Sequence, residues 1–95
     1  QINWLVNMTA WQPVGLAPAP AAEVVRRCQA AGVDVRHVWP CLPDTQLFCR
    51  APYRDLPVAR NVAKYGISLP CSPQLTPKDQ GIVIRTVNKV LAELK

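Results

Sequence analysis

The residue types able to do chemistry gather in one place. Arg36, His37 and Trp39 fall within four residues, and Cys41 follows two positions later. An arginine presents a rigid fork of N–H donors that fits phosphate or carboxylate. His37 is the only histidine. It is therefore the only imidazole that could activate the Cys41 thiol, a pairing that would also need a third group to orient the base. Pro40 stands between the two and ends the local strand, and no orienting residue is evident. Each side chain also has an ordinary reading. Arg36 can pair with a surface carboxylate, His37 can sit half-buried on a hydrogen-bond partner, and Trp39 can pack into a core or an interface.

The other constellations are thinner. Cys28, Cys41, Cys49 and Cys71 contain no C-x-x-C pair, so a zinc site would have to draw its thiolates from scattered elements. Cys28 lies on an apolar helix face, where cysteine acts as a small hydrophobe. The four glycines are isolated, which leaves no phosphate-cradling loop. Glu23, Asp34, Asp44, Asp55, Asp79 and Glu93 read mostly as turn, cap or surface residues. Lys64, Lys78, Lys89 and Lys95 fall on helices or at the terminus, none in an apolar setting that would depress its pKa for imine chemistry. These residues do not add up to a complete active site: no catalytic, cofactor-binding or metal-binding residue is expected.

The elements that position them follow from pattern. Residues 1–10 alternate, with Ile2, Trp4, Val6 and Met8 on one face and Asn3, Leu5, Asn7 and Thr9 on the other, which predicts a strand. Residues 11–20 hold Pro13, Gly15, Pro18 and Pro20 and read as a loop. Pro20 suits the first turn of a helix. Ala21, Val24, Val25, Cys28 and Ala31 form its apolar stripe, and Gly32 closes it. Val33 to Trp39 predicts a second strand, with Val33, Val35, His37 and Trp39 on one face and Asp34, Arg36 and Val38 on the other. Residues 40–57 form a long, proline-rich connection anchored by Leu42, Leu47, Phe48 and Leu56, of a length that favours a partner surface. Asp55 is placed to cap a helix with Pro57 in its first turn and a narrow stripe of Val58, Ala59, Val62 and Ala63. Gly66 stops that helix, and Ile67 to Leu69 is a short strand. Thr76 caps the last helix, with Pro77 first and Asp79 completing an imperfect capping box. Its buried stripe is Val83, Ile84, Val87, Val90, Leu91 and Leu94.

The order β-α-β-loop-α-β-α predicts an α+β fold: one domain over residues 1–95 with a small three-stranded sheet and helices packed on one face. Ninety-five residues, 49% of them hydrophobic, suffice for one core. The net charge of +5 is spread over scattered cations, a pattern that argues against a dedicated nucleic-acid module. No apolar run approaches the ~20 residues that span a bilayer. Reduced thiols in a cytoplasmic protein fit the absence of a secretion signal.

Several blocks, in order, resemble the C-terminal part of sugar aminotransferases of the DegT/DnrJ/StrS type. They are Asn3-Trp4-Leu5, Gly32 to Trp39, Leu47-Phe48 with Pro52, Asp55-Leu56-Pro57-x-Ala59, and Ser68-Leu69-Pro70-Cys71-Ser72. Leu75-Thr76-x-x-Asp79-Gln80 and the final amphipathic helix complete the match. The Arg-x-Val-Trp and Asp-Leu-Pro-x-Ala blocks look closest to the branch that serves legionaminic-type surface sugars. The resemblance implies the small C-terminal domain of a fold-type-I, pyridoxal-phosphate-dependent enzyme acting on nucleotide sugars. It also implies that the cofactor lysine lies in a large domain that this chain does not contain. Arg36 and Trp39 match an arginine and an aromatic residue near the sugar-nucleotide side, so Arg36, His37 and Trp39 become candidate substrate-binding residues. Many members carry a histidine where this chain has Pro43, a departure that weakens a direct sugar contact.

The expectation is then an orphaned or truncated aminotransferase domain, not catalytic alone and without its own cofactor. It would expose apolar surface at Trp4, Trp11, Leu47 and Phe48 and associate as a homo-oligomer or with a large aminotransferase domain. A stand-alone binding module for a nucleotide sugar or other phosphorylated ligand is one alternative. The complementing half of a split enzyme is another. Neither nucleic acid nor membrane is an expected partner.

Overall fold

The computed structural model describes residues 12–50 and 55–94. The strand expected over residues 1–10 lies outside them, as do Trp4 and Trp11. The elements in order are β1 (Val14–Leu16), α1 (Ala21–Ala30), β2 (Arg36–His37), a short 3-10 turn (Leu42–Asp44), α2 (Pro57–Tyr65), β3 (Gly66–Ser68) and α3 (Pro77–Glu93). The three strands form one antiparallel sheet in the order β1-β3-β2. The architecture is α+β.

The core lies between α1, α3 and one face of the sheet. α1 contributes Ala21, Val24, Val25 and Cys28, and α3 contributes Val87 and Val90. Ile67 reaches the core from the central strand, and Val33 and Val35 reach it from the segment before β2. Val24, Val35 and Cys28 are fully buried, and each such side chain contributes roughly 1–3 kcal/mol of transfer free energy. Burial also pushes the Cys28 thiol pKa up, consistent with a hydrophobe rather than a nucleophile.

Local signals set the helix ends. Gly32 takes φ +86, the only positive φ among the described residues. It allows Val33 N–H to donate to Cys28 C=O (2.9 Å) and Gly32 N–H to donate to Gln29 C=O (3.0 Å), the paired bonds of a Schellman closure. Ala31, expected on the buried stripe, is exposed as the C-cap of α1. At the other end of the chain the Thr76 capping box is complete. Asp79 N–H donates to Thr76 Oγ1 (3.1 Å), and Thr76 N–H donates to Asp79 Oδ2 (3.1 Å). Asp55 does not cap α2: Leu56 is the cap residue and no side chain bonds there.

Four expectations give way to tertiary structure. Residues 14–16 form a strand rather than loop, held by β3 through Ala17 N–H to Tyr65 C=O (2.8 Å) and Leu69 N–H to Pro13 C=O (3.0 Å). The alternation expected over 33–39 breaks after Val35. Val35 N–H donates to Val33 C=O (2.9 Å), a three-residue turn centred on Asp34. It leaves only Arg36 and His37 in the sheet, with His37 and Trp39 exposed. The apolar stripe of α2 is not in the core, since no residue of that helix is buried. Ile84 of α3 is likewise exposed, because α3 meets the core only along Val87 and Val90, with Val83, Leu91 and Leu94 beside them.

The exposed charges are locally paired. Glu23 accepts from Arg26 Nη2 at 2.6 Å and from Arg27 Nε at 2.7 Å, and these bonds, Arg26's first, hold its pKa down at about 2 instead of 4.5. The Asp79 carboxyl is also lowered, chiefly by its bond from the Thr76 hydroxyl. A carboxylate depressed on folding stabilises the fold above its unfolded pKa, and that contribution is lost as pH falls through the folded value. Acid titration should therefore keep the Glu23 contribution at pH 5 and lose it between about pH 4.5 and 2. Thr76→Ala should cost about 1 kcal/mol. Acid melts of the variant should also lose the share of pH dependence that Asp79 carries.

Candidate functional site

The side chains singled out from the sequence line one cleft. Arg36, His37, Val38 and Trp39 form one wall, Gln12 and Val14 another, and Ser68 and Val62 contribute from β3 and α2; the cavity is about 440 Å³. The pairing register explains the grouping. Val14, Ser68 and Arg36 are direct cross-strand neighbours and so share the face of the sheet opposite the one Ile67 turns to the core. Ser68 is buried under this cleft.

Arg36 is tied sideways. Its Nε donates to both carboxylate oxygens of Asp34 at 3.1 Å. Both side chains are largely exposed, 73% and 61%, so this pair is worth little to stability. It does orient the guanidinium and leaves its two Nη groups for other acceptors. Trp39 is 72% exposed, at the surface rather than in the core. His37 is exposed, whereas Cys41 is buried, and no hydrogen bond joins them among the described residues.

Beyond the cleft, the 40–50 segment is fastened to α2. Arg60 Nη1 donates to both oxygens of Asp44, at 2.6 and 2.7 Å. Pro43 lies in the 3-10 turn beside Asp44. Leu47 stands 82% exposed and Phe48 43%, so the two described members of the expected interface are on the surface. Six of the ten large apolar side chains exposed among the described residues, Trp39, Leu42, Leu47, Phe48, Val58 and Val62, lie on this stretch and on α2. The Asp44–Arg60 pair joins the two stretches that carry these exposed side chains.

No described group of three or more His, Cys, Asp or Glu is placed to hold a metal. The four cysteines are free thiols, Cys49 and Cys71 exposed. Nor do the described residues suit pyridoxal phosphate. Lys64, Lys78 and Lys89 are all exposed on helices, and Lys64 lies over the Tyr65 ring at 5.1 Å, so none is a desolvated amine fit for an imine. No described helix is long and apolar enough to cross a membrane.

Sequence reading found Arg36, His37 and Trp39 because they are neighbours in the chain. It missed Val14 and Ser68, which reach the cleft through the β1-β3-β2 pairing, Gln12 just before β1, and Val62, which comes from α2. The one hint was Val14-Gly15-Leu16, a short apolar run bracketed by Pro13 and Pro18. Comparison with known proteins adds no relative: no family model, curated protein or solved structure matches the chain.

Proposed function

We propose that the chain is an aminotransferase-like small domain of the DegT/DnrJ/StrS type that acts by association and performs no transamination by itself. The observation that carries this reading is the apolar exposure along the 39–48 segment and α2. A small domain that leaves such side chains in water gains by covering them, either with a second copy or with a large aminotransferase domain. The cleft of Arg36, His37 and Trp39 is then one wall of a site that its partner completes. The ligand class is a nucleotide sugar and the setting is the cytoplasm. The same reading covers a split enzyme, in which the partner chain supplies the cofactor lysine.

Absorbance after addition of pyridoxal phosphate tests the catalytic half of this reading. No imine band is expected; an imine band with amino transfer by the chain alone would overturn it.

A second reading has its own observation. Arg36 and the exposed Trp39 line the same cleft, a combination that suits a phosphate next to a planar ring. On this reading the chain binds a nucleotide sugar unaided. Calorimetric titration with nucleotide sugars would then release heat and shift the Arg36 Nε resonance. No heat and no shift would eliminate it.

A further inference from the structure

We propose that helix α2 of one copy of this chain docks in an apolar trough beside α3 of a second copy, so that copies join head to tail. The inference rests on association being the role of the domain and names the two faces that meet. The trough lies between the Asp34 turn and the first turns of α3. Val33, Pro70, Leu75, Ile82 and Val83 line it together with Asp34 and Asp79, and its volume is about 310 Å³. A smaller hollow of about 160 Å³ shares Pro70, Leu75 and Val83 and carries the apolar lining on to Leu69 and Ile84. Ile82 and Ile84 are 41% and 59% exposed and stand outside the core stripe of α3.

α2 matches this trough in apolar pattern and in charge. Val58 and Val62 are one helical turn apart and 76% and 36% exposed, the spacing of the anchors that a helix sets into a groove. Arg60 and Lys64 are the only charged residues of α2, whereas the charged residues lining the trough, among those described, are both carboxylates. Those carboxylates are held in place. Arg36 Nε donates to both oxygens of Asp34 at 3.1 Å, and the Thr76 amide and hydroxyl donate to Asp79 Oδ2 at 3.1 and 2.8 Å. Arg36 offsets part of the Asp34 charge, but the Thr76 donors are neutral and leave the Asp79 charge whole. Two copies meeting through α2 alone would set cations against cations, and two troughs would set carboxylates against carboxylates. The charges thus oppose both symmetric pairings and favour the head-to-tail one. Such a contact joins two different patches and lets each copy use both. The Asp44–Arg60 bonds tie the 40–50 segment to α2, which brings Leu47 and Phe48 to the same boundary.

Sedimentation of two variants of the full chain, alone and mixed, tests this. Val58→Asp damages the helix face and Ile82→Asp the trough. Both side chains are exposed in the single chain, so circular dichroism should match the unaltered protein. Each variant should dissociate roughly thirtyfold more readily and run as a single chain where the unaltered protein associates. An equimolar mixture should recover a two-chain species and nothing larger, because the intact α2 of the Ile82→Asp chain meets the intact trough of the Val58→Asp chain. If only one variant or neither loses association, or if the two fail to rescue each other, the head-to-tail contact is overturned while association stands as the role of the domain. A single-chain mass for the unaltered protein would overturn both.

Discussion

Replacing Gly66 with alanine is expected to lower the melting temperature by roughly 10 °C, the equivalent of about 2 kcal/mol in a domain of this size. Gly66 is where α2 passes into β3 with no intervening loop. Its φ of −74 is open to any residue, so the constraint is space rather than backbone freedom. A Cβ there would sit 2.5 Å from Val62 C=O and 2.7 and 2.9 Å from the two Val38 methyl carbons. The carbonyl belongs to the helix ladder and cannot retreat, and a β-branched side chain has few rotamers to escape into. The central strand must therefore shift, and both its neighbours with it. Gly15→Ala is the control: nothing lies within 4 Å of its added Cβ, and the melting temperature should hardly change. Thermal denaturation of the two variants side by side checks the placement of β3 directly.

The second large effect concerns association. Leu47→Asp combined with Phe48→Asp should raise the dissociation constant of the oligomer by roughly a thousandfold, since buried apolar anchors at interfaces contribute about 2 kcal/mol each and every 1.4 kcal/mol is a factor of ten. Both side chains are exposed already in the single chain, so the substitutions cost the monomer almost nothing and the fold should survive. Circular dichroism and melting temperature should match the unaltered protein while the sedimenting mass falls. If both substitutions leave the mass unchanged, the partner face lies elsewhere, and the exposed Val58 or Ile84 becomes the next place to look.

What could be read from the sequence was the part fixed by near neighbours. Gly32 closing α1 and Thr76 with Asp79 opening α3 are decided within a few residues, by backbone freedom and by capping bonds. The apolar period of α1 is similarly local. β1 was not legible, because three residues between prolines form a strand only when β3 supplies the ladder. The turn at Asp34 was hidden for the same reason. Valine and tryptophan at alternating positions argue for an unbroken strand, and only packing of Val33 and Val35 under α1 forces the bend. The candidate site divides along that line. Arg36, His37 and Trp39 were visible because they are consecutive or nearly so, whereas Ser68 and Val14 join them through sheet pairing and Val62 from α2. The exposure of α2 was also out of reach, since an amphipathic stripe does not say whether its partner is the chain's own core or another molecule.

That last ambiguity is where the functional proposal rests, and sedimentation velocity resolves it. At tens of micromolar and moderate salt, the chain alone should sediment as a dimer or larger species, and the mass should fall to one chain on dilution or with the Leu47→Asp, Phe48→Asp pair. A single-chain mass throughout that range, with the apolar face intact, would contradict association as the role of this domain.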